Sequence, residues 1–153
     1  MNRRQYLTRA VSVGTLGVLS GCAERDRGDG GPGEGDRSPF FRYIDSAENY
    51  DGIVDLRGKE EVVVDVGVPA EGEFGTYAFD PPGIMVDIGT TVIWKWVGNG
   101  EHNVVAEIGA EFESELTADS DYEFRFTLET RNNIRYYCVN HRWKGMFGGI
   151  MPD

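Results

Sequence analysis

The sequence predicts an all-β domain, a sandwich or barrel of many short strands, and three observations carry that prediction. Wherever the apolar residues recur with a clear period, the period is two. Clusters of Gly, Pro and Asn punctuate the chain at short intervals. No stretch forms a convincing amphipathic helix, and 21 glycines in 153 residues favour turns and short strands over long helices.

In chain order, the first alternation sets Val62, Val64 and Val66 against Val63 and Asp65. Asp80-Pro81-Pro82-Gly83 and Ile88-Gly89-Thr90 then read as turns. Val92, Trp94 and Trp96 alternate with Ile93, Lys95 and Val97, and Val97-Gly98-Asn99-Gly100 closes that strand. The cleanest strand sets Tyr122, Phe124, Phe126 and Leu128 against Glu123, Arg125 and Thr127. Ile134, Tyr136 and Cys138 share one face of a last strand. Residues 45–50 suggest a helical turn, the acidic stretch 107–121 has no period that assigns it, and no internal repeat is evident.

Ahead of this domain the chain reads as address and tether. Met1-Asn2-Arg3-Arg4-Gln5-Tyr6-Leu7 is a twin-arginine pattern, and the apolar run at 10–19 is far short of the ~20 residues that span a bilayer. It therefore reads as the core of a signal peptide. Leu19-Ser20-Gly21-Cys22 resembles a lipobox, in which Cys22 becomes the lipid-bearing N-terminus. Residues 23–38 hold Gly, charges and one Pro, too little apolar surface to offset the entropy of ordering. As a flexible coil they would reach about 20–25 Å. The expected organisation is a signal peptide at 1–21, a tether at 22–38 with lipidated Cys22, and a folded domain at 39–153. Such a protein is exported by the twin-arginine route and anchored by lipid to the outer face of the cell membrane.

A net charge of -11 excludes nucleic acid as a partner, since counterion release needs a basic face. The 26 Asp and Glu, against very few lysines, read as a surface adapted to high salt. Two cysteines specify no disulfide framework, and each has a separate explanation.

The chemistry lies in Tyr137-Cys138-Val139-Asn140-His141-Arg142-Trp143-Lys144-Gly145-Met146, which spaces its donors C-x2-H-x4-M. Divalent copper prefers imidazole nitrogen and monovalent copper prefers soft sulfur, so a site serving both states mixes the two. Cys138 would bind as a thiolate, deprotonated by the metal itself. His141 and Met146 reach the same ion from one tight loop, with Gly145 allowing the bend. The second imidazole must be His102, which follows the turn at 98–100, because the chain has only two histidines. A multicopper oxidase or copper nitrite reductase is excluded by the same count, because such enzymes need additional histidine-rich copper centres. Copper storage, delivery or sensing remains an alternative, although it would favour clusters of Met or Cys. Zinc is a further one, although a structural zinc site would more often replace Met by a thiolate or carboxylate.

These residues resemble the small blue copper proteins of the plastocyanin and pseudoazurin type, and most closely the halocyanins. The resemblance runs from about Tyr50 to Met151. It rests on Phe79-Asp80-Pro81-Pro82, Gly89-Thr90-Thr91-Val92-Ile93-Trp94-Lys95-Trp96, His102-Asn103-Val104-Val105, Phe112-Glu113-Ser114-Glu115 and Tyr136-Tyr137-Cys138. It implies a cupredoxin-type Greek-key β-sandwich from a halophilic archaeon. One type 1 copper ion would be held by His102, Cys138, His141 and Met146. Asn103 would tie the two ligand loops together and tune the hydrogen bonding around the Cys138 sulfur. The implied function is single-electron transfer between a donor and an acceptor redox protein at a membrane, by a monomer that turns over no small-molecule substrate and is not an enzyme. Two features depart from the family. Asn140 stands where Pro usually precedes the second histidine, and Arg142, Trp143 and Lys144 are bulkier and more basic than expected. If His141 is the ligand at the solvent edge, those three residues form a candidate docking patch for an acidic rim on a partner.

Overall fold

The computed structural model describes residues 38–70 and 76–153, with the side chain of Thr76 outside that description. The chain divides into two units between residues 31 and 32, and all described residues belong to the second. The signal peptide, Cys22 and the tether up to residue 37 lie outside the described residues.

Nine strands and one short helix make up the described fold. Helix α1 (Pro39–Ile44) comes first, followed by β1 (Val54–Asp55), β2 (Glu61–Ala70), β3 (Thr76–Asp80) and β4 (Gly83–Val86). Then come β5 (Thr91–Trp96), β6 (Val105–Ile108), β7 (Glu123–Thr127), β8 (Ile134–Tyr137) and β9 (Phe147–Pro152). They form a five-stranded sheet in the order β1-β4-β9-β8-β6 and a four-stranded sheet in the order β3-β2-β5-β7. Both are mixed, because β2 pairs parallel with β5, and β4 lies parallel to both β1 and β9.

The period-two pattern has a direct outcome. Val62, Val64 and Val66 of β2 and Val92, Trp94 and Trp96 of β5 point into one core with Phe79, Ile84, Val86, Ile134, Tyr136 and Ile150. Trp94 is the hub, its ring 5.3 Å from both Phe112 and Tyr136 and 5.7 Å from Phe124. Burying each such side chain contributes roughly 1.5–3 kcal/mol. On the opposite face of the four-stranded sheet, Arg125 pairs with Glu61 and Glu123, and Lys95 with Glu123. These exposed pairs add little stability.

Three elements differ from the sequence expectation. The helix occupies Pro39–Ile44, and residues 45–49 are turns that follow it. Pro39 supplies the pre-set φ of a first helical position. Phe40 and Ile44, four apart, bury one face. β8 is not the last strand. β9 follows the ligand loop and lies at the centre of its sheet, parallel to β4 and antiparallel to β8. A side chain at Gly148 would collide with the Tyr136 ring, and one at Gly149 with Ile44 and Phe40. Finally, 107–121 begins with the end of β6 and is then pinned by bridges from His102 to Thr117 and from Val105 to Glu113. Phe112 of this stretch is half-buried and packs against the core.

Candidate metal centre

His102 and the segment 138–146 meet because β5 and β8 deliver two loops to the same end of the sandwich. β5 stops at Trp96, whose indole N–H donates to the carbonyls of both His102 (3.2 Å) and Thr117 (3.1 Å). The His102 backbone is thereby fixed from below. Opposite it, β2 carries an irregularity between Val66 and Val68, where Gly67 has φ 84°. A Cβ there would lie 2.8 Å from His102 Nε2, so the bulge and its missing side chain make room for the ring.

His102 and Cys138 are buried, and His141 is half-buried. The three donor atoms lie within 4.8 Å of one another. Cys138 Sγ is 3.9 Å from His102 Nδ1 and 3.6 Å from His141 Nδ1. His102 Nε2 lies 2.9 Å from the Asn99 carbonyl, which can only accept. The proton is therefore on Nε2, and the Nδ1 lone pair faces the sulfur. Burial lowers the proton affinity of His102 against the pull of the Asn99 hydrogen bond. Burial, then the neighbouring His102 and Lys144, does the same for His141. Both rings are thus biased toward the neutral form that can ligate. Cys138 is a free thiol.

Met146 is fully buried in the same core cluster as Cys138. The loop between them is closed by its own backbone: Arg142 N–H donates to Cys138 O at 2.8 Å, Met146 N–H to His141 O at 3.2 Å, and Cys138 N–H to Met146 O at 3.3 Å. A 3-10 turn, Arg142–Lys144, ends at Gly145 in the left-handed region (φ 89°), which glycine adopts without strain. Asn103 Oδ1 accepts the Val139 N–H at 2.9 Å, joining the two loops directly. Asn140, standing where the family usually has Pro, donates from Nδ2 to the Glu101 carbonyl at 3.4 Å. Its own carbonyl accepts the Trp143 indole N–H at 3.0 Å.

The basic loop divides in two. Arg142 stacks over the Tyr137 ring at 4.0 Å and pairs with Glu107 at 3.2 Å, so its charge is directed back onto the sheet. Trp143 is 72% exposed, with Lys144 Nζ 4.7 Å from its ring centroid. Sequence reasoning missed Tyr77 of β3. Its ring meets His102 edge-on at 4.7 Å and His141 at 5.0 Å, packing against both imidazoles. The available signal was its place two residues before buried Phe79, on the same face of the strand.

These donors fit copper. One thiol sulfur, two imidazole nitrogens freed by their surroundings and a buried thioether match the mixed soft and borderline preferences of its two oxidation states. Among the described residues the metal-capable His, Cys, Asp and Glu group here comprises these three alone, without the carboxylate or second thiolate that zinc more often takes.

Comparison with known proteins agrees. Residues 66–151 match a family model for copper binding proteins of the plastocyanin/azurin family. A halocyanin from Natronomonas pharaonis is 36% identical over 170 aligned residues, spanning 100% of this chain and 98% of that one. An oxidised plastocyanin from Dryopteris crassirhizoma and a mutant plastocyanin of fern each superpose with a TM-score of 0.50 at 24% identity, covering 60% of this chain and 100% of theirs. At that identity they show the fold, an all-β cupredoxin sandwich. Matched over more than half its length, and similar to a halocyanin from end to end, the chain belongs to the plastocyanin/azurin family of copper-binding proteins.

Proposed function

We propose that this protein is a type 1 copper electron carrier that passes single electrons between a donor and an acceptor redox protein at the outer face of the cell membrane. The observation that carries the reading is the convergence of His102 Nδ1, Cys138 Sγ and His141 Nδ1. Met146, at the end of the same backbone-closed loop, would be the weak fourth ligand. Copper held there supplies a one-electron couple. The chain's part is to keep the donors in one arrangement in both states. The Asn99 carbonyl fixes the His102 tautomer, Asn103 ties loop to loop, and Tyr77 packs against both rings.

His141 is the half-exposed ligand, so its ring is the chain's natural point of electron entry and exit. Trp143 and Lys144 beside it are our candidate docking contacts. Arg142, engaged with Tyr137 and Glu107, serves the loop more than the partner. The anchoring half of the proposal rests on the twin-arginine pattern and the lipobox at Cys22.

Adding Cu(II) to the purified protein and then ascorbate tests the carrier role. The expected result is an intense blue thiolate-to-copper band that bleaches on reduction and returns on oxidation. A faint band that does not cycle would remove Cys138 from the ligand set and favour a delivery or zinc-binding role.

A further inference from the structure

The segment 39–49 precedes every residue matched by the family model, which starts at residue 66, yet it packs directly on the loop that holds the site. Five contacts show this. Glu48 N–H donates to the Gly145 carbonyl at 3.4 Å, and that same carbonyl accepts the Phe147 N–H at 3.0 Å. Gly145 has no Cβ, and one placed there would lie 2.7 Å from Glu48 Cγ and 3.3 Å from Glu48 N, so the segment occupies that space. The Tyr43 ring packs on Phe147 at 4.9 Å, and its hydroxyl donates to the Tyr136 carbonyl at 2.8 Å. Phe40 and Ile44, both buried, fill the surface left bare by Gly149.

These contacts fall on Gly145, Phe147 and Gly149, the stretch that immediately brackets Met146 and leads it into β9. The carbonyl of Tyr136, two residues before Cys138, is held by the same tyrosine. A second path reaches the other side of the loop. Arg135 lies over the Tyr43 ring at 4.9 Å and is paired with Glu107 at 3.5 Å, and Glu107 pairs with Arg142, the residue after His141. Burial, and then Glu107, hold the Tyr43 hydroxyl protonated well above its ordinary value, so it remains a donor.

We propose that segment 39–49 is a brace that positions the Met146 end of the ligand loop, with Glu48 N–H and Tyr43 as its positioning groups. The brace acts through backbone: what Gly145 requires from residue 48 is an N–H, not a carboxylate. Its consequence for the copper site rests on the carrier reading above, in which Met146 is a ligand, but the brace itself does not need the metal.

The test compares Glu48→Ala, Glu48→Pro and Tyr43→Phe in the full chain. Glu48→Ala keeps the N–H and Glu48→Pro removes it. Hydrogen exchange in the metal-free protein is read at the amides of residues 141–147, with the β2 and β5 amides as the control for global folding. Glu48→Pro and Tyr43→Phe are expected to speed exchange in 141–147 about five-fold, the size of one lost hydrogen bond, while the control strands keep their protection. Glu48→Ala is expected to match the parent. After copper loading, Glu48→Pro and Tyr43→Phe should shift the charge-transfer spectrum and the potential, since axial sulfur tunes both, and Glu48→Ala should not. Unchanged exchange at 141–147 in Glu48→Pro and Tyr43→Phe would overturn the brace, as would equal loosening by Glu48→Ala. If Glu48→Pro loosens the control strands too, Tyr43→Phe alone decides by the same criterion. A parent protein that gives no blue band would defeat the carrier reading and leave the exchange result standing.

Discussion

Trp143 is the most exposed of the large apolar side chains among the described residues, and nothing in the core depends on it. Its indole N–H is used on the Asn140 carbonyl, which fixes the ring's direction without burying it. An exposed aromatic held rigid beside half-buried His141 is the kind of contact that dominates protein interfaces. We expect Trp143→Ala to leave the fold within about 0.5 kcal/mol of the parent. Electron exchange with the native partner should slow about ten-fold, a typical loss for one aromatic anchor. An unchanged exchange rate would sink the docking role. At this scale the donors were legible because their chemistry is rare: two histidines, one cysteine beyond the N-terminal segment and one methionine at a fixed spacing. Tyr77, Gly67 and the Asn99 carbonyl were not. Their roles exist only once β2, β3 and the 97–100 turn stand beside the histidines, and no local spacing encodes that meeting.

Among the elements, β2 contains a testable conflict. Asp65 lies opposite Asp80 across the antiparallel pair with β3 and beside Lys95 across the parallel pair with β5. Burial, then Asp80, raises the Asp65 carboxyl above its ordinary value, and Lys95 pulls the other way. An acid raised in the folded state adds stability below its unfolded value and loses it as pH climbs through the folded one. At neutral pH the charge is therefore a cost. Asp65→Asn should stabilise the fold at pH 7 by roughly 0.2–1 kcal/mol, the size of a like-charged cross-strand pair. The gain should vanish near about pH 3, where the parent carboxyl is already protonated. Denaturant midpoints at the two pH values check this, and no gain at neutral pH would refute it. The strands that could be read ahead were β2, β5, β7 and β8: β2, β5 and β8 set a buried face against a less buried one, and β7 sets half-buried Phe124 and Phe126 against exposed Glu123, Arg125 and Thr127. β9 is a run of Phe, Gly, Gly, Ile, Met and Pro at the sheet centre, so it has no alternation to display. α1 is six residues long, too short to establish a helical period. Phe112 and Ser114 organise the 107–121 connection through one half-buried ring packed on the core and one hydroxyl that accepts the Val104 N–H at 2.9 Å, contacts that carry no period either.

The whole molecule carries a net charge of -11 and joins an acidic body to an N-terminal segment that reads as a lipid address. No helix among the described residues is long and apolar enough to cross a membrane, and the anchor we propose is a lipid on Cys22. The charge and the tether then act in opposite senses. A negative domain is repelled by anionic headgroups over a Debye length of about 8 Å at physiological salt and about 3 Å at 1 M. A tether of the kind proposed for residues 23–38 would, as a flexible coil, reach about 20–25 Å, well beyond either distance. The lipid would hold the domain near the membrane while its charge keeps the copper end off the headgroups and free to turn toward a partner. Cys22→Ser removes the thiol proposed to carry the lipid and nothing in the folded domain. In the native host, the variant should leave the membrane fraction for the soluble exported fraction, with its copper band unchanged. Retention in the membrane fraction after a high-salt wash would show that something other than a lipid on Cys22 holds the protein there.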